Sequence, residues 1–223
     1  MGLKSKIGCL HAHYSNIDYI ESALSSYNVE LTHFVDPGLM HRVMTDQEFT
    51  KSDAKEKVRN QVEWIAQSGV DAILITCTNY IALLEQRNIN VPIIKIDEPY
   101  FEAICKIEQP QTILFTNPDT VSGTMNRLEQ YAKLQQKTLD FEVVIIEDTF
   151  ELIMRGQNEE YKQVVSNFLK KLNQQRAVSV AQLSMVGAAQ QVERETSQPI
   201  INPLNALVSS MVKQLNLEEK EQE

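Results

Sequence analysis

At 223 residues the chain is long enough for one large domain or for two lobes of about 100 residues each. Its 43% hydrophobic and 23% charged residues exclude a disordered or fibrous protein, and a net charge of −9 without a basic stripe excludes nucleic acid as a partner. Three irregularly spaced cysteines, Cys9, Cys77 and Cys105, exclude a disulfide scaffold and fit a reducing compartment.

The N-terminus carries two lysines ahead of an apolar stretch too short for a signal peptide. It begins Met1-Gly2, but Lys6 after Ser5 argues against myristoylation. No run approaches the roughly 18 apolar residues of a membrane span. The expectation is a cytoplasmic protein with no membrane partner.

Residues 6–10 (KIGCL) predict a first strand. Ser15-Asn16-Ile17-Asp18 matches a capping box, and Ile17, Ile20 and Leu24 follow at helical spacing. Residues 29–35 predict a second strand, closed by the turn signal Asp36-Pro37-Gly38. Over 52–68, Val58, Val62 and Ile65 share one helix face, and Gly69 stops it. Residues 72–76 (AILIT) read as a strand buried on both faces of a parallel sheet. A helix over 79–86 and a strand over 93–96 complete the first half.

Asp97-Glu98-Pro99 marks a boundary, giving one lobe of residues 1–97 with about 203–223 and another of 98–202. Beyond it the spacing predicts a strand at 112–115, a helix at 119–135 and a strand at 141–146. A helix at 158–174 carries the stripe Tyr161, Val164, Val165, Phe168, Leu169 and Leu172. Strands at 177–183 and near 200–201 follow, then a helix bearing Leu204, Leu207, Val208, Met211 and Leu215. The tail LEEKEQE reads as solvated and frayed.

Strands alternating with helices make the fold class α/β: two pseudo-symmetric lobes, each a short, mostly parallel sheet flanked by helices, with an interdomain cleft. In each half an amphipathic helix precedes a buried strand that delivers a polar cluster to its C-terminal mouth. The clusters are Thr76-Cys77-Thr78-Asn79 and Gln182-Leu183-Ser184-Met185. Open α/β sheets bind ligands at those ends.

A cysteine closing an apolar strand is either a small buried hydrophobe or a working thiol. Thr76, Thr78 and Asn79 favour the second reading for Cys77, since they are polar where a core strand would stay apolar. Thr78 or Asn79 suits the N-cap of the next helix, and a thiol at a helix N-terminus is drawn toward the thiolate. The same N–H groups could hold a carboxylate. Cys105 reads as core.

Cys9-x-His11-x-His13 alternates, so on a strand all three side chains would point one way, as a metal site needs. An H-x-H pair after a first strand also resembles metal-dependent hydrolases. Such sites take more ligands from later strands, and the other histidines are only His33 and His41. The expectation is therefore no metal, with His11 as a hydrogen-bonding residue and His13 exposed. No Gly-rich phosphate loop or Gly-x-Ser-x-Gly is present, so neither a nucleotide cofactor nor serine-hydrolase chemistry is expected.

The chain resembles the aspartate/glutamate racemase superfamily. The resemblance rests on Ile73-Leu74-Ile75-Thr76-Cys77-Thr78-Asn79, on Leu114-Phe115-Thr116-Asn117-Pro118-Asp119-Thr120, and on the opening Ile7-Gly8-Cys9-Leu10-His11. It implies two similar α/β lobes with a small amino or carboxylic acid bound between them, no cofactor, and a homodimer. It implies Cys77 as catalytic acid/base or nucleophile. His11, Thr78, Asn79, Thr116, Thr120 and the Ser184-Met185 turn would hold the substrate's carboxylate and stabilise an enediolate. A true racemase has a second cysteine where this chain has Ser184. A serine hydroxyl is a far poorer base than a thiol, which titrates near about 8.5. Two-base racemisation is thus in question, and a one-sided isomerisation or decarboxylation remains open. A binding protein without turnover and, further off, a metal hydrolase using His11 and His13 are the alternatives.

Overall fold

The computed structural model describes residues 4–85, 89–172 and 175–220. The Met1-Gly2 start, the expected helix ends at Gln86 and Gln174, and the last three residues of the tail lie outside the described residues. The chain divides into two units, Met1–Asp97 with Leu207–Glu223, and Glu98–Ala206. No helix among the described residues is long and apolar enough to cross a membrane.

The first unit runs β1 (Ser5–His11), α1 (Asn16–Leu24), β2 (Val29–Val35), α2 (Pro37–Thr45), α3 (Lys51–Ala66), β3 (Ala72–Ile75), α4 (Thr78–Leu83) and β4 (Ile93–Lys95). Its sheet has the order β2-β1-β3-β4, with every pairing parallel. The chain winds outward from β1 to β2, then crosses back to place β3 on the other side. That reversal separates the loops beyond β1 from those beyond β3 and opens a crevice at the strands' carboxyl ends. β3 is buried at all four positions, as its unbroken apolar run requires. Helix α3 opens with a full capping box, Thr50 with Asp53, and turns Ala54, Val58, Val62 and Ile65 inward. It is followed by Gly69 at φ +76°, in the left-handed region that glycine enters without strain.

The second unit repeats the scheme. It contains α5 (Asp97–Cys105), β5 (Gln111–Phe115), a 3-10 turn (Pro118–Thr120), α6 (Val121–Leu134), β6 (Phe141–Ile145), α7 (Phe150–Met154) and α8 (Asn158–Leu169). β7 (Ala177–Val180), a second 3-10 turn (Leu183–Met185), α9 (Val186–Thr196) and β8 (Ile200–Ile201) follow, and α10 (Pro203–Leu215) crosses the boundary back to the first unit. The sheet order β6-β5-β7-β8 is again all parallel. Period-2 alternation on β5 sends Ile113 and Phe115 against Tyr100, Phe101, Ile104 and Leu128, and sends Leu114 against Tyr161, Val165 and Ala189. Each such side chain contributes about 1.5–3 kcal/mol by leaving water, so two covered faces suffice for a core.

Several local expectations need correction. Asp36-Pro37-Gly38 is no turn but the start of α2, with the Asp36 carboxylate accepting from Gly38 N and Leu39 N and proline at the first helical position. Ser15 does not cap α1: it is itself helical, and its hydroxyl lies 2.8 Å from His13 Nδ1. Helices α7 and α9 had no forecast. The strand expected over 177–183 stops at Val180, because Gln182 turns and its carbonyl accepts from Met185 N. The tail is not frayed over 217–220. Leu217 is buried, Asn28 N donates to Glu218 O, and Lys220 N donates to Ser26 O.

Candidate active site

The reversal point of the first sheet lies between β1 and β3, and the ends of these strands bring His11 beside Thr76. His11 Nδ1 is 2.8 Å from Thr76 Oγ1, and Asn16 Nδ2 donates to the same oxygen at 3.2 Å. On its other side His11 Nε2 is 2.8 Å from His33 Nδ1 on β2, and His33 Nε2 is 3.0 Å from Glu21 Oε1. A hydrogen-bonded chain thus runs from exposed Glu21 through two imidazoles to the residue before Cys77. Burial, and then His33, hold the fully buried His11 well below the usual imidazole range, at about 4. His11 is therefore neutral near pH 7.

Cys77 is the N-cap of α4, one residue earlier than the sequence suggested; its carbonyl accepts from Ile81 N. Thr78 is half-buried as the first helical residue, and Asn79 is exposed. The thiol is half-buried rather than exposed. Protein atoms crowd it although some of its surface stays open. Burial pushes the Cys77 thiol up, the N–H groups of Tyr80 and Asn79 draw it partly back, and Asp97 adds to the rise. The net direction is opposite to the pull toward the thiolate expected at a helix N-terminus. A six-residue helix carries few aligned peptide dipoles, and desolvation outweighs them.

A raised thiol has less thiolate at any given pH. Alkylation of Cys77 by iodoacetamide, followed by peptide mapping, should therefore be slow at neutral pH and still climbing beyond the ordinary thiol value of 9.0. A rate that levels off near neutrality would contradict the assignment.

The second unit's reversal point, between β5 and β7, is also bridged. Gln182 Oε1 accepts from Thr116 N at 2.7 Å, Thr116 Oγ1 at 2.9 Å and Asn117 N at 3.1 Å, while Gln182 Nε2 donates to Thr120 Oγ1 at 3.1 Å. Tyr161 OH, rising from α8, lies 3.0 Å from Thr116 Oγ1 and 2.8 Å from Ser184 Oγ. Because the Thr116 hydroxyl donates to Gln182, it accepts from Tyr161, whose oxygen then accepts from Ser184. Ser184 is half-buried and sits in the 3-10 turn that leads into α9. Tyr161→Phe removes the oxygen joining Thr116 to Ser184 and should cost about 1–2 kcal/mol. An unchanged denaturation midpoint would show that the bridge is not part of the fold's stability.

Within the first unit the structure gathers His11, Thr76, Cys77, Thr78 and Asn79 at one mouth. Within the second it gathers Thr116, Thr120 and Ser184 at another. Met185 sits differently: its side chain is fully buried in the core, and its N–H is taken by Gln182 O. His13 does not join His11. β1 ends at His11, so the alternation breaks, and exposed His13 bonds Ser15 instead. His33 takes that place, because the parallel register sets it opposite Cys9. Sequence reasoning missed His33, Glu21, Asn16 and Tyr161, and it placed Gln182 in the second polar cluster without giving it a role. Only Tyr161 gave a signal, a hydroxyl on an otherwise apolar helix stripe.

Two parallel-sheet units of like topology, each with its polar mouth, are the architecture of the two-lobed α/β racemases. The chain belongs to the Asp/Glu/hydantoin racemase family, whose model matches residues 12–211. An aspartate racemase from Picrophilus torridus superposes with a TM-score of 0.69 at 13% identity, over 97% of this chain and 96% of that one. An allantoin racemase from Klebsiella pneumoniae gives 0.62 at 18% identity, over 97% and 91%. A maleate isomerase from Pseudomonas putida S16 gives 0.63 at 10% identity, over 96% and 93%. A sequence search of curated proteins finds no match.

Proposed function

We propose that the chain is a cofactor-independent enzyme acting at the carbon next to a carboxylate of a small amino or carboxylic acid, with Cys77 as its acid/base or nucleophile. The reaction is a racemisation, isomerisation or decarboxylation. The observation that carries this reading is a half-buried thiol, held protonated, at the carboxyl end of β3 beside the first sheet's reversal point. A protonated thiol is poised to give a proton. It could quench the enediolate that forms when an acid loses carbon dioxide or a Cα proton. To act first as a base it must shed its own proton, so donation is the easier direction.

Ser184 supports a one-sided reaction over two-base racemisation, since a hydroxyl bonded to Tyr161 is a weak acid and a weaker base. Thr78, Asn79 and Thr120 are the half-buried or exposed polar groups suited to hold a carboxylate. Buried His11 and Thr116 act by positioning Thr76 and Gln182. Met185 is the anchor of its turn. An aspartate racemase and a maleate isomerase among the structural neighbours support a small-acid substrate. A homodimer in the cytoplasm belongs to the same reading.

The test is incubation in heavy water with a panel of amino acids and 2-substituted dicarboxylates. Cys77-dependent exchange, inversion or decarboxylation is expected for at least one of them, and none across a broad panel would sink the proposal. A second reading, a small-acid binder without turnover, is favoured by the serine at position 184. It predicts a ligand that shields Cys77 from alkylation yet is recovered unconverted.

A further inference from the structure

Three side chains beneath the first mouth converge on one point. On β1, period-2 alternation puts Cys9 and His11 on the same face, and the ladder sets His33 of β2 directly opposite Cys9. The Cys9 thiol and one nitrogen from each histidine all lie within 4.8 Å of one another. Cys9 is fully buried, and its thiol reaches the Ile7 carbonyl at 3.9 Å, a long contact for a thiol donor. The two histidines meet through His11 Nε2 and His33 Nδ1 at 2.8 Å. Their far nitrogens are held by separate partners, Thr76 Oγ1 on His11 and the Glu21 carboxylate on His33. Metal-bound histidines are oriented in this way, with the distal N–H given to a hydroxyl, carbonyl or carboxylate.

We propose that Cys9, His11 and His33 form a binding site for a thiophilic divalent cation, with zinc the best match to one thiolate and two imidazoles. Binding balances by exchange. The proton on the Cys9 sulfur leaves to solvent, and the His11 proton shared between the two imidazoles moves from Nε2 to Nδ1, which frees His11 Nε2 and His33 Nδ1 for the ion. His11 then carries its proton on Nδ1, which Thr76 accepts while its own hydroxyl donates to the Leu10 carbonyl, 3.3 Å away. His33 carries its proton on Nε2, facing Glu21. Bonds of about 2.0–2.1 Å from a tetrahedral ion hold two nitrogens about 3.3 Å apart, so the rings must part by about half an ångström. Burial and Glu21 push the free Cys9 thiol up to about 12, so the ion must displace a firmly held proton to bind the sulfur.

The His33 side chain is 14% exposed and that of Glu21 55%, which gives the ion a path from solvent and leaves that side open to a water as fourth ligand. A bound ion would tie β1 to β2 and, through His11 and Thr76, fix the residue before Cys77. The site does not depend on the chemistry proposed for Cys77.

The experiment is titration of the chelator-treated chain with cobalt(II), followed by competition with zinc(II). One equivalent should bind with tetrahedral visible bands and a sulfur-to-cobalt charge-transfer band, and zinc should displace it. Cys9→Ser should remove the sulfur band. Glu21→Gln, at an exposed position, should weaken binding about 10–100-fold. His13→Ala should change neither. Zinc should also raise the melting temperature of the unsubstituted chain and not that of His33→Gln, a partly buried site that keeps the test open if Cys9→Ser does not fold. No uptake, weak octahedral bands alone, or a sulfur band that survives Cys9→Ser would each overturn the site and leave a hydrogen-bonded relay in its place.

Discussion

Cys77→Ala is expected to lower kcat at least about 10³-fold on whichever acid the panel identifies, with KM changed little. The split follows from the geometry. The thiol lies at the mouth with its proton, whereas Thr78 and Asn79 supply the polar groups that would hold a carboxylate. Losing the proton donor removes a stabilisation felt only in the transition state; losing a carboxylate contact weakens ground state and transition state together. Cys77→Ser is the sharper variant. It keeps the size and the polar edge of the side chain, but a hydroxyl gives up its proton far less readily than a thiol. Its kcat should fall nearly as far as that of the alanine variant. Melting curves of both should stay within a few degrees of the parent, because the site is only half-buried. A serine variant within tenfold of the parent would remove Cys77 from the chemistry.

The same residue shows how far the sequence could be read. That Cys77 closes a buried strand was legible, because Ala72, Ile73, Leu74 and Ile75 form a run too short for a helix, bounded by Gly69 and the polar Thr76 to Asn79. Its electrostatics were not plain. They depend on α4 having only six residues and on Asp97 lying close by, and neither is written in local spacing. Asp36-Pro37-Gly38 failed for a related reason, since an Asx turn and an N-cap followed by proline use the same three residues. What separates them is whether Leu39 finds a core to pack into, and it does. The partnership of His11 with His33 depends on a parallel register between strands more than twenty residues apart. Periodicity within one strand pointed to His13 instead. Tyr161 was correctly read as part of a buried stripe, but its hydroxyl acquires meaning only because β7 stops early and its turn carries Ser184 back to α8.

Gly8→Ala should be the most damaging single-methyl change in the first unit. An ideal Cβ at Gly8 would sit 2.3 Å from Ile65 Cγ2, with Val70 and Phe34 behind it at 3.4 and 3.6 Å. Glycine here serves close approach, since it lets α3 lie down on β1. The offending atom is not the free end of a flexible chain. Cγ2 is fixed to a β-branched carbon whose helical rotamer is nearly unique, so the helix must lift or the side chain leave its well. The cost should be about 1–3 kcal/mol, or a drop in Tm of roughly 2–4 °C for each kcal/mol in a chain of this size. Ile65→Ala should cost about 2–5 kcal/mol alone, through the cavity it leaves. In the double variant the two changes should partly cancel, because the alanine methyl at position 8 fills space that Ile65 gave up. Urea denaturation of the four proteins measures the coupling. Additive losses would mean that Ile65 does not set the distance between α3 and β1. Since β1 ends at His11, any lift of α3 should also reach Thr76 and show as altered alkylation of Cys77.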